Sequence, residues 1–355
     1  MTLSLIVPLH QDNADSRQAL LECAALNPVP FEMIAVLDGM NEDLAAFAAE
    51  LKFKMIILPS HSGPAKARNA AAAQANGDIL LFVDSDVLPP RDLIERVKST
   101  FNAHPDAAAI FGSYDDAPGD PGFLSQYKNL QHHFVHQTAN ESASTFWTGC
   151  GAVRRTNFLE LNGFEENFDQ PCIEDVEFGI RLKNAGHYIH LEKSLQVKHL
   201  KRYTARSLLH SDFFHRALPW SLIILQQRHM PNDLNVDWKN RLSVVCAYGL
   251  TLFLIAAIIT SKVLFLIPAL LCAFLLLVFN HGFYRFLAHT KGFLFLLKGL
   301  PWHWLYFLYS GLGFGCAFIY FHFHKVIASL RQHKPKIGLI FNSNKKHKDH
   351  KDLSI

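Results

Sequence analysis

Acidic side chains are missing from one long part of this 355-residue chain: between Arg241 and His324 there is no Asp or Glu. That absence excludes an ordinary water-facing surface there and points to a different solvent. Cysteine is sparse as well. Cys23, Cys150, Cys172, Cys246, Cys272 and Cys316 are scattered, form no CxxC pair and lack the density of a secreted disulfide scaffold. We read them as reduced thiols that hold no metal. No secretory leader is expected, because Met1 runs almost directly into LSLIVPL, with no charged n-region and too few apolar residues. The first domain is therefore expected to stay in the cytosol. The formal charge of +3 is only mildly basic, and no nucleic-acid partner is expected. The length allows one large domain or two ordinary ones, with a core that needs no disulfide or metal.

What is present divides the chain in two. Over the first part, short β-rich runs alternate with alanine-rich helical stretches, the pattern of a mostly parallel α/β sheet. LSLIVPL, MIAVLDG, KMIILPS and DILLFVDSD are the expected strands, and DSRQALLECAAL, EDLAAFAAEL and AKARNAAAAQAN the helices between them, the third closed by Gly77. Function in such sheets sits at the carboxyl ends of the strands, here Pro8 to Gln11, Asp38 to Met40 and Asp84 to Asp86. After Arg241 the chain reads as membrane-embedded. Spans are expected at about 243–260, 263–279 and 302–321, each near the roughly 20 residues a bilayer needs, with an interfacial helix at about 283–299. The resulting divisions are a first domain at 1–225, a linker at 226–241, a membrane region at 242–324 and a basic tail at 325–355. Three full spans would put the run NKKHKDHK outside, against the positive-inside tendency, so either one segment re-enters or the tail breaks the rule.

In LLFVDSDVLPP an apolar strand ends in two aspartates. Residues two apart in an extended strand face one side, so Asp84 and Asp86 are expected to converge on one space. Two carboxylates suit a hard cation such as Mg²⁺ or Mn²⁺, which is often held by few carboxylates plus the phosphates of a substrate. A phosphatase-type aspartate nucleophile is the competing use, but that arrangement usually lies on a domain's first strand, whereas three strands precede this pair. Pro89 and Pro90 end the strand and turn the chain toward the next helix.

The order of short motifs resembles a membrane-anchored family-2 glycosyltransferase with the GT-A fold, a Rossmann-like α/β domain, over residues 3 to about 220. The motifs are IVPLH, VLDGM, GPAKARNAA, FVDSD, TGCGAVRR, NGFEENF and IEDVEFGIRLKNAG. The resemblance implies a nucleotide-sugar donor and a divalent metal, Mg or Mn. It implies that Pro8, Asp38, Lys66, Arg68 and Asp84 meet the donor, with Asp38 on the nucleotide base. Asp84 and Asp86 would hold the metal, with His199 as a third ligand. Gly149 and Gly151 would let the backbone approach the acceptor, beside Glu174, and Asp175 would be the catalytic base, with Glu174 as its neighbour in the catalytic pair. Asp175 opens a helix running to Asn184 and stopped at Gly186; Phe178 and Leu182 share its face. The helix dipole there favours an ionised carboxylate.

Two departures matter. Leu37 and Met40 stand where a DDGS-like turn has Asp and Ser, and the QxxRW signature of processive synthases is absent. HRALPW keeps an Arg and a Trp in another arrangement, with Arg216 expected to reach the diphosphate. The expected protein is a non-processive, inverting transferase at the cytosolic face of the inner membrane, acting on a hydroxyl of a lipid or lipid-linked acceptor. The rivals are a polyprenyl-phosphate acceptor, which needs no base, and a non-catalytic membrane adaptor.

Overall fold

The computed structural model describes residues 1–167, 172–228 and 230–331. Strand β1 (Leu3–Leu9) is buried along almost its whole length, as a strand covered on both faces must be. Helix α1 (Ala14–Ala24) follows, started by a capping box in which Asn13 and Ser16 satisfy each other's backbone. Next come β2 (Glu32–Asp38), α2 (Glu42–Glu50), β3 (Lys54–Leu58), α3 (Pro64–Gln74) and β4 (Ile79–Val83). β1 pairs in parallel with β2 on one side and β4 on the other, and β2 pairs with β3. The chain thus winds outward to β3 and returns across β1. Such a reversal opens a crevice beyond the carboxyl ends of the strands, and Pro8, Asp38 and the turn after Val83 all lie at it.

The remaining elements of the sheet domain are β5 (Val87–Leu88), α4 (Leu93–Ala103), β6 (Ala107–Tyr114), α5 (Phe123–Thr138), β7 (Cys150–Arg154), α6 (Arg155–Glu160), α7 (Glu174–Asn184) and β8 (Tyr188–His199). They complete an eight-stranded sheet in the order β3-β2-β1-β4-β7-β6-β8-β5. β7 is antiparallel to β4 with Cys150 opposite Val83, so the start of β7 meets the end of β4. The end of β8 pairs with β5, His199 opposite Val87. Alternate residues of β1 and β2 enter two apolar clusters, Leu5, Val7, Ala35 and Leu37 in one and Ile6, Ile34 and Val36 in the other. The sheet therefore carries a core on each face.

The mostly parallel α/β sheet agrees with the sequence pattern, and LSLIVPL is β1 residue for residue. Two local expectations change. Asp84 and Asp86 do not continue the strand: β4 stops at Val83, and a turn follows in which Val87 N donates to Asp84 O at 3.2 Å. Gly77 does not close α3, which ends at Gln74; it lets the chain pass close to β1, since a Cβ there would lie 2.6 Å from Ser4 Oγ.

Beyond the sheet lie α8 (Ala205–Asp212), a π-helical turn (Phe213–Ala217), α9 (Leu218–Gln227), α10 (Trp238–Thr260), α11 (Leu266–Phe279), α12 (His281–Lys291) and α13 (Phe293–Arg331). α10 and the Phe293–Phe323 part of α13 are each long and apolar enough to cross a bilayer. The segments Val263–Phe279 and His281–Lys291 pass that test only together, and they meet at a 67° bend. Ile258, Ile259, Val263, Leu270, Leu294 and Ile319 are at least 69 % exposed, apolar faces that no protein covers. The stretch expected as one interfacial helix at 283–299 is two helices. Gly292, at φ +88°, breaks the chain between α12 and α13, and α13 then runs on through Pro301. The apolar face of α12 is covered by the first domain, with Phe283, Tyr284 and Leu287 packed against Tyr127 and Leu130 of α5. The run NKKHKDHK lies outside the described residues.

α7 is held close to the chain before β7, because a Cβ at Gly179 would meet Phe146 N and lie 2.7 Å from Thr145 Cα. Gly179→Ala is expected to cost about 1–3 kcal/mol through overpacking. Thermal unfolding of the detergent-solubilised chain should show a lower Tm. Gly315→Ala, where a Cβ meets nothing within 4 Å, should leave the Tm unchanged.

Candidate active site

Arg68 lies at the centre of the site. It projects from the first half of α3, is only 4 % exposed, and spans two carboxylates: Nη2 to Asp84 Oδ1 at 2.6 Å and Nη1 to Glu174 Oε1 at 2.9 Å. Burying a guanidinium is tolerable only with such partners. The same fork fixes the turn after β4 against the start of α7. The guanidinium thus faces acids within the protein, which differs from the donor contact expected of it. Glu174 is equally committed, since its second oxygen accepts from Cys172 N at 2.9 Å and the side chain is buried.

Asp86 leaves the same turn toward β8, with Oδ2 3.6 Å from His199 Nε2. His199 is fixed by the β5–β8 pairing and by stacking on Tyr114, ring centroids 4.0 Å apart at 10°. Burial alone raises both carboxyls of the turn. For Asp86 the neighbouring His199 and Lys201 outweigh it and hold the carboxyl down to about 2. For Asp84 burial prevails, reinforced by Asp86 and Glu174 against the pull of Arg68, and the carboxyl is raised. Two crowded acids and an imidazole form a donor set that suits a divalent cation, whose charge would relieve the repulsion.

Asp175 stands beside this cluster. Its Oδ2 accepts from Thr148 N at 3.1 Å and Thr148 Oγ1 at 3.3 Å, and Oδ1 accepts from Val176 N at 2.8 Å. Phe178 and Leu182 are fully buried on the face it shares, so the helix anchors the carboxylate from behind. Burial first, and then the adjacent Glu174, push its carboxyl up to about 7. The helix dipole is outweighed here, which reverses the sequence expectation of an easily ionised group.

Gly149 and Gly151 have their small size for an internal reason. A Cβ at Gly149 would strike the indole of Trp147, and one at Gly151 the Trp147 carbonyl and the Phe146 ring. The space beside these glycines is filled by the chain itself, not left open for an acceptor. The carbonyl of Gly149 accepts from Asp84 N at 3.4 Å, which ties the turn to β7.

At the crevice end, Asp38 accepts from Ser62 N at 2.6 Å and Gly63 N at 2.9 Å, and His61 Nδ1 lies 2.7 Å from its Oδ2. Pro8 sits near the end of β1, opposite Val36 and past the last β1–β4 pair. Lys66, in the first turn of α3, is half-buried and makes no ion pair among the described residues. Asn69 instead holds the 163–166 loop, donating to Phe164 O and Glu166 and accepting from Phe164 N.

Arg216 lies on the π-helical turn, bound to Asp212 at 3.0 Å. Asp212 is buried and also receives Lys128 Nζ at 2.6 Å from α5 and Tyr309 Oη at 2.5 Å from α13. Tyr203 and Tyr114 adjoin Arg216, so the residue borders the His199 wall while its nearest acid belongs to the joint with the membrane helices. The structure thus brings Arg68, Asp84, Asp86, Glu174, Asp175 and His199 together. Sequence reasoning gave no role to Thr148, Tyr114 or His61, and marked the Pro8 to Gln11 loop without assigning His10 a role. Of these, His10 and His61 carried a usable signal, since both lie in loops at carboxyl ends of strands.

The glycosyl transferase family 2 model matches residues 4–161. The probable glycosyltransferase YdaM of Bacillus subtilis (strain 168) is 24 % identical over 204 residues, 53 % of this chain and 48 % of that protein. An N-acetylglucosaminyltransferase of Rhizobium meliloti (strain 1021) is 24 % identical over 173 residues, 45 % of this chain and 40 % of the relative. The chain spans about half the length of these curated relatives, or less. Among solved structures, S. aureus TarS 1-349 in complex with UDP-GlcNAc aligns with a TM-score of 0.44 at 18 % identity, covering 63 % of this chain and 67 % of that one. Residues 4–161 thus match a family-2 glycosyltransferase domain, and they lie in a mostly parallel mixed sheet of the GT-A type.

Removing Arg68 strands the buried Glu174. Arg68→Met is expected to cost about 3–5 kcal/mol, and Arg68→Met/Glu174→Met to be less damaging than Arg68→Met alone. Chemical unfolding of the three proteins checks the order.

Proposed function

We propose that the protein transfers a sugar, with inversion, from a nucleotide-sugar donor to a hydroxyl of a lipid or lipid-linked acceptor at the cytosolic membrane face. The observation that carries this reading is Asp175, a carboxyl raised to about 7, oriented by Thr148 and set beside the Asp84–Asp86 turn. A group with that value is basic enough to take a proton and is about half ionised at neutral pH. Asp175 removes the acceptor proton as the oxygen attacks the anomeric carbon from the face opposite the nucleotide. Asp84, Asp86 and His199 would hold a Mg²⁺ or Mn²⁺ ion, which when bound offsets charge on the departing diphosphate. Asp38 meets the base. Lys66, which makes no ion pair among the described residues, and Arg216, with 38 % of its side chain exposed, are the cations for the phosphates. Arg68 acts through Asp84 and Glu174 as a positioning residue.

Relatives named N-acetylglucosaminyltransferase favour an N-acetylglucosamine donor. A membrane-borne acceptor is supported by the joint at Asp212, where α13 touches the residue that also binds Arg216. Acceptor and active site then share one wall. The apolar helices α10 and α13 would anchor the domain where a lipid-linked hydroxyl can reach it.

Because Asp175 works in its ionised form, kcat/KM is expected to fall about tenfold per pH unit below 7 and to level off above it. Asp175→Asn should lose about 10²–10⁴-fold in kcat with donor binding retained. Both are read by nucleotide release from a panel of nucleotide sugars with Mn²⁺. Near-normal turnover in Asp175→Asn would instead favour a polyprenyl-phosphate acceptor, already anionic and in no need of a base.

A further inference from the structure

The ends of β1, β2 and β3 bring together three groups that the transfer chemistry does not use as a set. His10 follows β1, Asp38 ends β2, and His61 follows β3. Their imidazole nitrogens and a carboxylate oxygen all lie within 4.8 Å of one another. The two rings face each other with centroids 4.2 Å apart, tilted 35°. His61 Nδ1 is 2.7 Å from Asp38 Oδ2, and His10 Nδ1 is 3.5 Å from the Asp38 carbonyl. Both histidines are exposed, whereas Asp38 is 5 % exposed.

We propose that His10, Asp38 and His61 form a second cation site, distinct from the Asp84–Asp86 turn and selective for a borderline transition metal of the Zn²⁺ type. Two imidazoles and one carboxylate are a donor set preferred by Zn²⁺ over Mg²⁺, which favours oxygen. Asp38 is already oriented as ligating carboxylates are, because Ser62 N and Gly63 N each donate to one of its oxygens. Tetrahedral zinc with bonds of about 2.0–2.1 Å needs donors roughly 3.3 Å apart. The donors already lie within 4.8 Å of one another, and the two rings that would adjust are exposed while the carboxylate is buried. Three protein ligands leave a fourth position open to water or to a ligand. The turn at 84–86 offers the contrasting set, rich in carboxylate, so the chain can sort a hard ion from a softer one.

A consequence follows that rests on Asp38 as the contact for the nucleotide base: zinc and nucleotide compete, and the metal inhibits. Titrating Zn²⁺ calorimetrically into the purified, metal-free full chain tests the site itself. Wild type should take up one tight equivalent more than His10→Ala/His61→Ala, and each single substitution should weaken that equivalent by at least about tenfold. An unchanged Tm without metal shows that the variants fold. His61→Gln, which keeps a donor toward Asp38, serves if the alanine variant does not. Equal numbers and affinities of tight Zn²⁺ in wild type and double variant would overturn the proposal. UDP and GDP binding, measured with and without Zn²⁺, tests the consequence. If zinc binds but neither nucleotide is weakened, the metal site stands and the reading of Asp38 as base contact fails.

Discussion

A single buried guanidinium joins the two halves of the site. Arg68 pairs with Asp84, 16 residues further along the chain, and with Glu174, 106 residues further along. Asp84 belongs to the turn after β4, and Glu174 opens α7, so one side chain sets the distance between that turn and the start of the helix. A cation so deeply buried has no cheap alternative. Breaking either pair leaves charge in a poorly hydrated space, which makes the geometry stiff. The glycines of the 149–151 run serve the same end by letting Trp147 and Phe146 pack beneath the turn.

Around that pair the sequence places carboxyls in opposite environments. Asp86, beside His199 and Lys201, stays ionised under all ordinary conditions, whereas burial and Glu174 bring Asp175 close to neutrality. Environments that separate two carboxyls in this way also separate their tasks, one suited to hold a cation and the other to move a proton. Neither value is a property of aspartate in a sequence. Asp86 owes its value to His199 at the end of β8 and to Lys201 just beyond it, and Asp175 owes its value to burial and the adjacent Glu174, with Thr148 pulling the other way.

That distinction explains what was legible beforehand. Local patterns were readable because they depend on neighbouring residues: the apolar runs of β1 to β4, the helix from Glu174 to Asn184, and its stop at Gly186, which has φ +84°. The motif order also located Asp84, Asp86, Asp175 and His199, which the fold does bring together. Long-range partners were not readable. Nothing near Arg68 says that its charge is met from within, and nothing near Gly149 says that an indole fills the space beside it. The DxD turn was misread as strand because alternation is the default after an apolar run, and the Val87–Asp84 hydrogen bond that bends it is invisible in composition. The 283–299 stretch was misread for a similar reason. Its mixed apolar and basic composition fits an interfacial helix, but the partner that covers it is α5, more than a hundred residues earlier.

The membrane helices meet the domain through polar chemistry as well as packing. Asp212 gathers Lys128, Arg216 and Tyr309 from α5, the π-helical turn and α13. Burial lowers the Lys128 ammonium, and Asp212 counters part of that. The π-helical turn that carries Arg216 is thereby tied to α5 and α13. The claim on which all of this turns is that Arg68 couples the Asp84 turn and the start of α7 electrostatically. Mn²⁺ affinity of Glu174→Gln, measured by calorimetry on the solubilised chain, tests it most directly, because Glu174 is not among the proposed ligands. With Glu174 neutral, the charge of Arg68 falls more fully on Asp84, so Mn²⁺ should bind several-fold more weakly while the fold is kept. Unchanged Mn²⁺ affinity in a folded Glu174→Gln protein would contradict the coupling.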